Sequence, residues 1–409
     1  MKQLAFYYDV VCPFAYVAST LVEQLAVRNG VRLEWKPVLL AGINNSTKEK
    51  RVMTHAKREI VAQDLLQLAR RYGVHEGARP LVPACHPHTT QYAMTLLAFC
   101  PDMLTRSRLT HSLYKAYWRD GMELTDLKVL QQLANNLKWE VNVSHLVESG
   151  EATALLESIT GEALEHGTFS LPSFWLGDRL FWGVDRMFLM ERHLGNRDAV
   201  PLRLTSPKPG KRKLTFYLDY SSPWSYLATM QLDTLIRSLQ PMKINVEYVP
   251  IHQGALFKEI GTMEISSENR RRYLTTDIQD WASYYGVPLL WPSTFPIRTV
   301  QPLRVTIAGG SDPRLIKHLY KAVWQDDKNI GDELVLQQVL QHGGFDSKHL
   351  MEKSVTSEVR NELWNNTRRA IDVGVCGVPS FQVNDGMLVW GQDRLNVVAD
   401  MLCSYNSTE

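Results

Sequence analysis

The stretch Phe6-Tyr7-Tyr8-Asp9-Val10-Val11-Cys12-Pro13-Phe14-Ala15-Tyr16 returns as Phe216-Tyr217-Leu218-Asp219-Tyr220-Ser221-Ser222-Pro223-Trp224-Ser225-Tyr226, an offset of 219 − 9 = 210. Each copy is an aromatic, β-branched run, an aspartate, a small residue and a proline. Residues 4–10 and 214–220 therefore read as strands. Cys12-Pro13 and Ser222-Pro223 read as helix starts, with a capping residue and then proline at the first helical position.

Other segments repeat at almost the same distance. Leu171-Pro172-Ser173-Phe174 returns as Val378-Pro379-Ser380-Phe381, and Trp182-Gly183-Val184-Asp185-Arg186 returns as Trp390-Gly391-Gln392-Asp393-Arg394. Leu113-Tyr114-Lys115-Ala116-Tyr117-Trp118 matches Leu319-Tyr320-Lys321-Ala322-Val323-Trp324. A near-constant offset over 409 residues means two copies of one domain. The expected division is 1–196 and 213–403, joined by a solvated linker over 197–212, where Pro201, Pro207, Pro209 and Gly210 punctuate a polar stretch.

Within each copy the order is strand, helix, strand, a long helical stretch, then strand, turn, strand, helix. Residues 31–37 and 243–250 read as second strands; 60–72, 109–118, 271–285 and 315–324 have helical periodicity. Residues 173–176 with 179–182, and 380–383 with 387–390, read as hairpins. The fold class is α/β, with an all-helical insertion in each copy.

Composition narrows the function classes. Lys+Arg 45 against Asp+Glu 43 gives a net charge of +2, too little to grip nucleic acid or anionic lipid. The longest apolar stretches fall well short of the ~20 residues of a membrane span. Asp9 interrupts the N-terminal apolar run, so no signal peptide is expected, and five cysteines without a C-x-x-C make no disulfide scaffold. The expectation is a cytoplasmic chain, with a mitochondrial location left open.

Three features of each copy converge on chemistry. The first is the cap residue, Cys12 or Ser222, where unpaired backbone N–H groups and the helix dipole favour an anion. A thiol at that place, or beside a serine hydroxyl there, is pushed toward thiolate. The bland alternative is plain capping. The second is Pro172 and Pro379: either trans and marking a strand edge, or cis and presenting the preceding backbone to an extended peptide. The third is Trp-Gly-x-Asp-Arg, whose Asp185 and Asp393 suit helix caps.

Together these residues resemble the DsbA-like thioredoxin-fold branch that contains 2-hydroxychromene-2-carboxylate isomerase and kappa-class glutathione transferase. The resemblance rests on FYLDYSSPWSYLA (216–228), PIHQGALFKEIG (250–261), WPSTFPIR (291–298), the Gly374–Pro379 turn and WGQDRL (390–395). CPFAY, PVLLAGIN (37–44), LPSFW and WGVDR carry it more loosely in the first copy. It implies two thioredoxin-like domains, each with a helical insertion. It also implies glutathione as cosubstrate, with Ser222 hydrogen-bonding the glutathione sulfur. Val378 and Pro379 would meet the cysteinyl unit, and Gln392 and Asp393 the γ-glutamyl end. Leu171, Pro172 and Asp185 are the matching residues of the first copy. Lowering a thiol pKa of ~8.5 by about two units takes ~2.7 kcal/mol of selective thiolate stabilisation, within reach of one charge-assisted hydrogen bond plus a helix N-terminus.

The departures from the family pattern define the alternatives. Thr262 stands where the family usually has an asparagine near the reacting substrate. In copy one Cys12 replaces the serine, Ala15 stands where disulfide oxidoreductases carry a second cysteine, and Val184 replaces Gln392. The leading expectation is a glutathione-dependent isomerase or transferase acting on an enone-like or aromatic small molecule. A thiol-disulfide oxidoreductase working through Cys12 and a non-catalytic tandem binding module compete with it. The chain is expected as a monomer with an internal pseudo-dimer or as a homodimer. Cys85-His86-Pro87-His88 is spaced too tightly for a metal site, and none is expected. Trp118, Trp281, Trp291 and Trp324 read as core or cleft residues, Arg271-Arg272 as a solvated helix face, Cys100 as buried and Cys403 as exposed.

Overall fold

The computed structural model describes residues 1–47, 54–74, 86, 89–261 and 267–404. The first sequence copy runs β1 (Gln3–Tyr8), α1 (Pro13–Arg28), β2 (Arg32–Pro37), α2 (Leu40–Thr47), α3 (His55–Arg71), α4 (Gln91–Ala98), α5 (Met103–Trp118), α6 (Leu127–Asn136), α7 (Val143–Glu148), α8 (Gly150–Glu165), β3 (Ser173–Leu176), β4 (Arg179–Trp182), a 3₁₀ turn (Val184–Arg186) and α9 (Met187–His193). The second runs β5 (Lys211–Leu218), α10 (Pro223–Ser238), β6 (Lys243–Pro250), α11 (Gln253–Ile260), α12 (Glu268–Tyr285), α13 (Val300–Ala308), α14 (Pro313–Trp324), α15 (Glu333–His342), α16 (Ser347–Ser354), α17 (Ser357–Asp372), β7 (Ser380–Val383), β8 (Leu388–Trp390), a 3₁₀ turn (Gln392–Arg394) and α18 (Leu395–Ser404).

Helices begin earlier than apolar periodicity alone suggests, because their first turns are polar and capped. Asp102 accepts the Thr105 amide (2.8 Å) to start α5, and Asp312 accepts the Arg314 amide (2.8 Å) to start α14. Ser267 does the same for Arg270 at the head of α12 (3.2 Å).

The four-stranded sheets have matching orders, β2-β1-β3-β4 and β6-β5-β7-β8. In each, the first strand is parallel to the second and antiparallel to the first strand of the hairpin, with Phe6 opposite Phe174 and Phe216 opposite Phe381. Those pairs stack at 5.1 Å and 5.0 Å between ring centres. All four rings are fully buried, each contributing on the order of 2–3 kcal/mol of apolar burial.

The repeated Leu-Tyr-Lys-Ala-x-Trp segment has a structural purpose in both copies. The Trp118 indole donates to the Val10 carbonyl (2.7 Å) and Trp324 to Tyr220 (3.0 Å). Tyr114 and Tyr320 donate to the carbonyls of Asp9 (3.3 Å) and Asp219 (3.0 Å). The helical insertion thus pins the loop that leads into α1 or α10, and with it the cap residue. Trp118, Trp281 and Trp324 are core residues, whereas Trp291 is 45% exposed.

The chain divides into two compact units. Unit 1 comprises Met1–Arg51, Leu65–Pro201 and Ile265–Asp277; unit 2 comprises Val52–Asp64, Leu202–Glu264 and Ile278–Glu409. Helix α3 therefore divides after Asp64 and α12 after Asp277. In unit 2, Ile60 of α3 joins a core with Tyr217, Val249, Leu256 and Val378. In unit 1, Tyr273 of α12 donates its hydroxyl to the Trp182 amide (3.1 Å) and packs on Phe169 at 5.3 Å.

The stretch 197–212 is less free than a solvated linker. Leu204 and Thr205 donate their amides to Asp400 (both 3.0 Å to Oδ1), Arg212 is buried with its Nε on the Leu402 carbonyl (2.9 Å), and Lys211 already pairs with Lys243 in the sheet. Cys403 is a second correction: α18 packs it inward at 7% exposure, because the helix's apolar face covers the sheet. Among the described residues, no helix is long and apolar enough to cross a membrane.

Candidate active site

In unit 2 the chain sets Ser222 at the head of α10, against the loop that ends in Pro379. The Ser222 hydroxyl accepts the Ser225 amide (3.2 Å), the capping bond, and donates to the Val378 carbonyl (3.0 Å). Capping and reaching across to the loop are thus both done by one oxygen, and the side chain is only 3% exposed. The Val378-Pro379 and Leu171-Pro172 peptide bonds are both cis. The Val378 amide donates to Gln253 Oε1 (3.3 Å), so both main-chain groups of Val378 meet side chains of this unit.

The 3₁₀ turn with Gln392 and Asp393 is tied to the same loop, since the Gly391 amide donates to the Pro379 carbonyl (3.0 Å). Gly391 has φ +107°, and a Cβ there would collide with the Asp393 carboxylate. Gln392 is 1% exposed, and neither its amide oxygen nor its amide nitrogen has a hydrogen-bond partner. A buried primary amide with both ends unpaired costs free energy that a polar ligand would recover. Asp185 and Asp393 lie inside their 3₁₀ turns, whose cap positions are Gly183 and Gly391; the expected capping role is not what the backbone shows.

Arg394 binds Asp64 through Nε and Nη2, both at 2.6 Å, and its Nη1 lies 3.6 Å from Asp393. Lys57 stands with its ammonium 5.9 Å from the centre of the Trp390 ring. Its charge offsets part of the burial that pushes the Cys376 thiol up to about 11. The turn that carries Gln392 and Asp393 is thus tied to the loop that holds Val378 through the Gly391–Pro379 bond.

Beneath it, Asp219 is 1% exposed and accepts the Ser221 (3.0 Å) and Gln253 (2.8 Å) amides. Burial pushes its carboxyl up, partly offset by those bonds and by the Thr299 hydroxyl. Asp9 repeats the arrangement in unit 1, accepting the Val11 amide (3.1 Å), the Leu40 amide (2.9 Å) and the Thr90 hydroxyl (2.7 Å).

Unit 1 places Cys12 where unit 2 has Ser222. Its thiol donates to the Leu171 carbonyl (3.4 Å), but it makes no side-chain capping bond to α1. Val184, at the place of Gln392, is a buried apolar residue. Thr262, Cys85, Pro87 and His88 lie outside the described residues; the His86 ring nitrogen meets the Tyr117 hydroxyl at 3.0 Å.

Sequence reading missed Gln253 and Lys57. The first was visible as a difference between the repeats, Pro37-Val38-Leu39-Leu40 against Pro250-Ile251-His252-Gln253. The second had no local signal, because Lys57 lies in the other sequence copy and meets Trp390 only through folding.

A central β-α-β and hairpin sheet, a helix whose cap faces a cis-proline loop, and a helical insertion define a thioredoxin-fold domain present twice. The model of the DSBA-like thioredoxin domain matches residues 3–195 and 213–403, and the chain belongs to that family. Among curated proteins it is similar to 2-hydroxychromene-2-carboxylate isomerase of Pseudomonas putida, 26% identical over 196 residues, covering 46% of this chain and 93% of that protein. The isomerase of Pseudomonas sp. (strain C18) is 30% identical over 185 residues, covering 44% and 85%. Glutathione S-transferase kappa 1 of Caenorhabditis elegans is 25% identical over 210 residues, covering 47% and 92%. A solved 2-hydroxychromene-2-carboxylate isomerase structure aligns with 25% identity and a TM-score of 0.41, covering 46% of this chain and 94% of its own.

Proposed function

We propose that the second copy binds reduced glutathione and activates its thiol at Ser222 for addition to an electrophilic small molecule, as an isomerase or a transferase. The observation that carries this reading is the Ser222 hydroxyl, held by the Ser225 amide and aimed across at the carbonyl of Val378. Turned to a bound sulfur, that hydroxyl and the first amides of α10 would favour thiolate over thiol. The thiol proton leaves to solvent and sulfur adds to the electrophilic carbon. The double-bond pair moves onto the conjugated carbonyl. In isomerisation it returns after rotation about the former double bond and expels the sulfur. In transfer the carbanion takes a proton from solvent, or an aromatic carbon expels its leaving group, and the carbon–sulfur bond remains. Gln392 supplies an unpaired amide and Asp393 a carboxylate suited to the γ-glutamyl ammonium. The curated isomerase and transferase relatives support this class of chemistry.

Calorimetry with reduced glutathione tests it. Asp393→Ala is expected to weaken binding about ten-fold or more, the effect of losing one hydrogen-bonded charge. Arg394 keeps Asp64 as a partner, so the turn itself should persist. Wild-type affinity in this variant would mean that the working cleft is elsewhere.

Copy one supports a second reading, thiol-disulfide exchange through Cys12, because its sulfur reaches the Leu171 carbonyl as Ser222 reaches Val378. Burial pushes the Cys100 and Cys376 thiols up to about 12 and about 11, so both are poor nucleophiles near neutrality. Brief alkylation at pH 6, read by peptide mass spectrometry, should label Cys12 before either. Labelling of Cys100 or Cys376 first would end the oxidoreductase reading.

A further inference from the structure

We infer that Gln253 tunes the affinity of the Ser222 site by competing with the bound tripeptide for the main chain of Val378. The inference rests on the glutathione reading above. An extended thiol peptide lying along the cis-proline loop pairs with the N–H and C=O of the residue before the proline. Both groups already have partners in unit 2: the Val378 carbonyl accepts Ser222 Oγ–H (3.0 Å) and the Val378 amide donates to Gln253 Oε1 (3.3 Å). The side-chain amide of Gln253 has the same acceptor chemistry as a peptide carbonyl, and it stands where that carbonyl would dock.

The position of Gln253 is fixed by its own backbone. Its amide donates to Asp219 (2.8 Å) at the head of α11, a carboxylate also bound to the Ser221 amide beside Ser222. Unit 1 shows what the same fold does without the competitor. Leu40 occupies the equivalent place, its amide on Asp9 (2.9 Å), and a leucine side chain offers no acceptor. Ligand entry in unit 2 therefore requires two exchanges. The Ser222 hydroxyl turns from the Val378 carbonyl to the sulfur, and Gln253 gives up the Val378 amide. The first exchange is repaid by the thiolate; the second swaps one amide acceptor for another.

The size of the effect follows from the geometry. At 3.3 Å the bond lies just beyond the usual N–H···O range and is weak, so its loss should help the ligand by about three-fold rather than ten-fold. Gln253→Leu copies a residue the fold already accepts at Leu40. It is expected to tighten reduced glutathione about three-fold by calorimetry, while the thiolate absorbance of the bound ligand titrates at an unchanged pH, since Ser222 is untouched. Gln253→Glu, whose carboxylate accepts the Val378 amide more strongly and repels a thiolate, is expected to weaken binding several-fold. If wild type binds and Gln253→Leu binds equally or more weakly, the competition is refuted while glutathione binding stands. If neither wild type nor Gln253→Leu binds, the glutathione reading fails and this inference falls with it.

Discussion

Replacing Ser222 by alanine is expected to lower the rate constant for glutathione addition by about 10²–10³, the range seen when one preorganised donor to a developing anion is lost. The hydroxyl already donates to the loop at the Val378 carbonyl (3.0 Å), and its oxygen is held in place by the Ser225 amide at 3.2 Å. The same substitution removes a helix cap and the hydrogen bond to the Val378 carbonyl, each costing about 1 kcal/mol, small beside the stability of a folded domain. The fold should therefore survive while the chemistry does not. The ultraviolet absorbance of the bound thiolate should appear at higher pH in Ser222→Ala, in step with the lost rate. A slowed reaction with an unshifted titration would assign Ser222 a role in holding the ligand and none in activating sulfur.

The second large effect is on stability. Asp277→Ala is expected to destabilise unit 1 by about 3–5 kcal/mol, the cost of leaving a buried charge without its partner. Asp277 accepts Arg186 Nε (2.9 Å) and the Tyr273 hydroxyl (3.1 Å) on one oxygen, and Arg186 Nη2 (2.8 Å) on the other. The carboxylate is 1% exposed and the guanidinium 8%. Removing the acid takes the two-pronged carboxylate away from a buried guanidinium at the Val184–Arg186 turn, where Asp185 lies at 3.5 Å from Nη1. Amide hydrogen exchange should accelerate across β3 and β4, the hairpin that runs into that turn. Wild-type protection there would show that the pair contributes little. Glu268→Ala makes the contrast. Its partners Arg271 and Arg272 are 61% and 77% exposed, and that change should leave protection where it was.

Much of the site was legible in residue order. The offset between repeats gave the domain count, the aromatic and β-branched runs at 4–10 and 214–220 gave the strands, and Ser222-Pro223 announced the start of α10. Those features are local, each encoded in neighbouring residues and their intrinsic geometry. Gln392 was named from the family resemblance; its unpaired buried amide is what the structure adds.

What the sequence could not determine is which partner each apolar or charged face meets. Periodicity along 60–72 and 271–285 identifies two amphipathic helices, but it says nothing of where their ends belong. Tertiary packing places Ile60 and Asp64 in unit 2 and Tyr273 and Asp277 in unit 1. On a helical wheel Asp277 is one more solvated acid; it becomes a structural charge only when Arg186 arrives from a turn far away in the chain. Gln253 is the same case in the site, a polar residue in a helix's first turn until the fold brings the Val378 amide within 3.3 Å. Propensities and caps act over a few residues and can be read in order, whereas burial and pairing act between residues that only folding brings together.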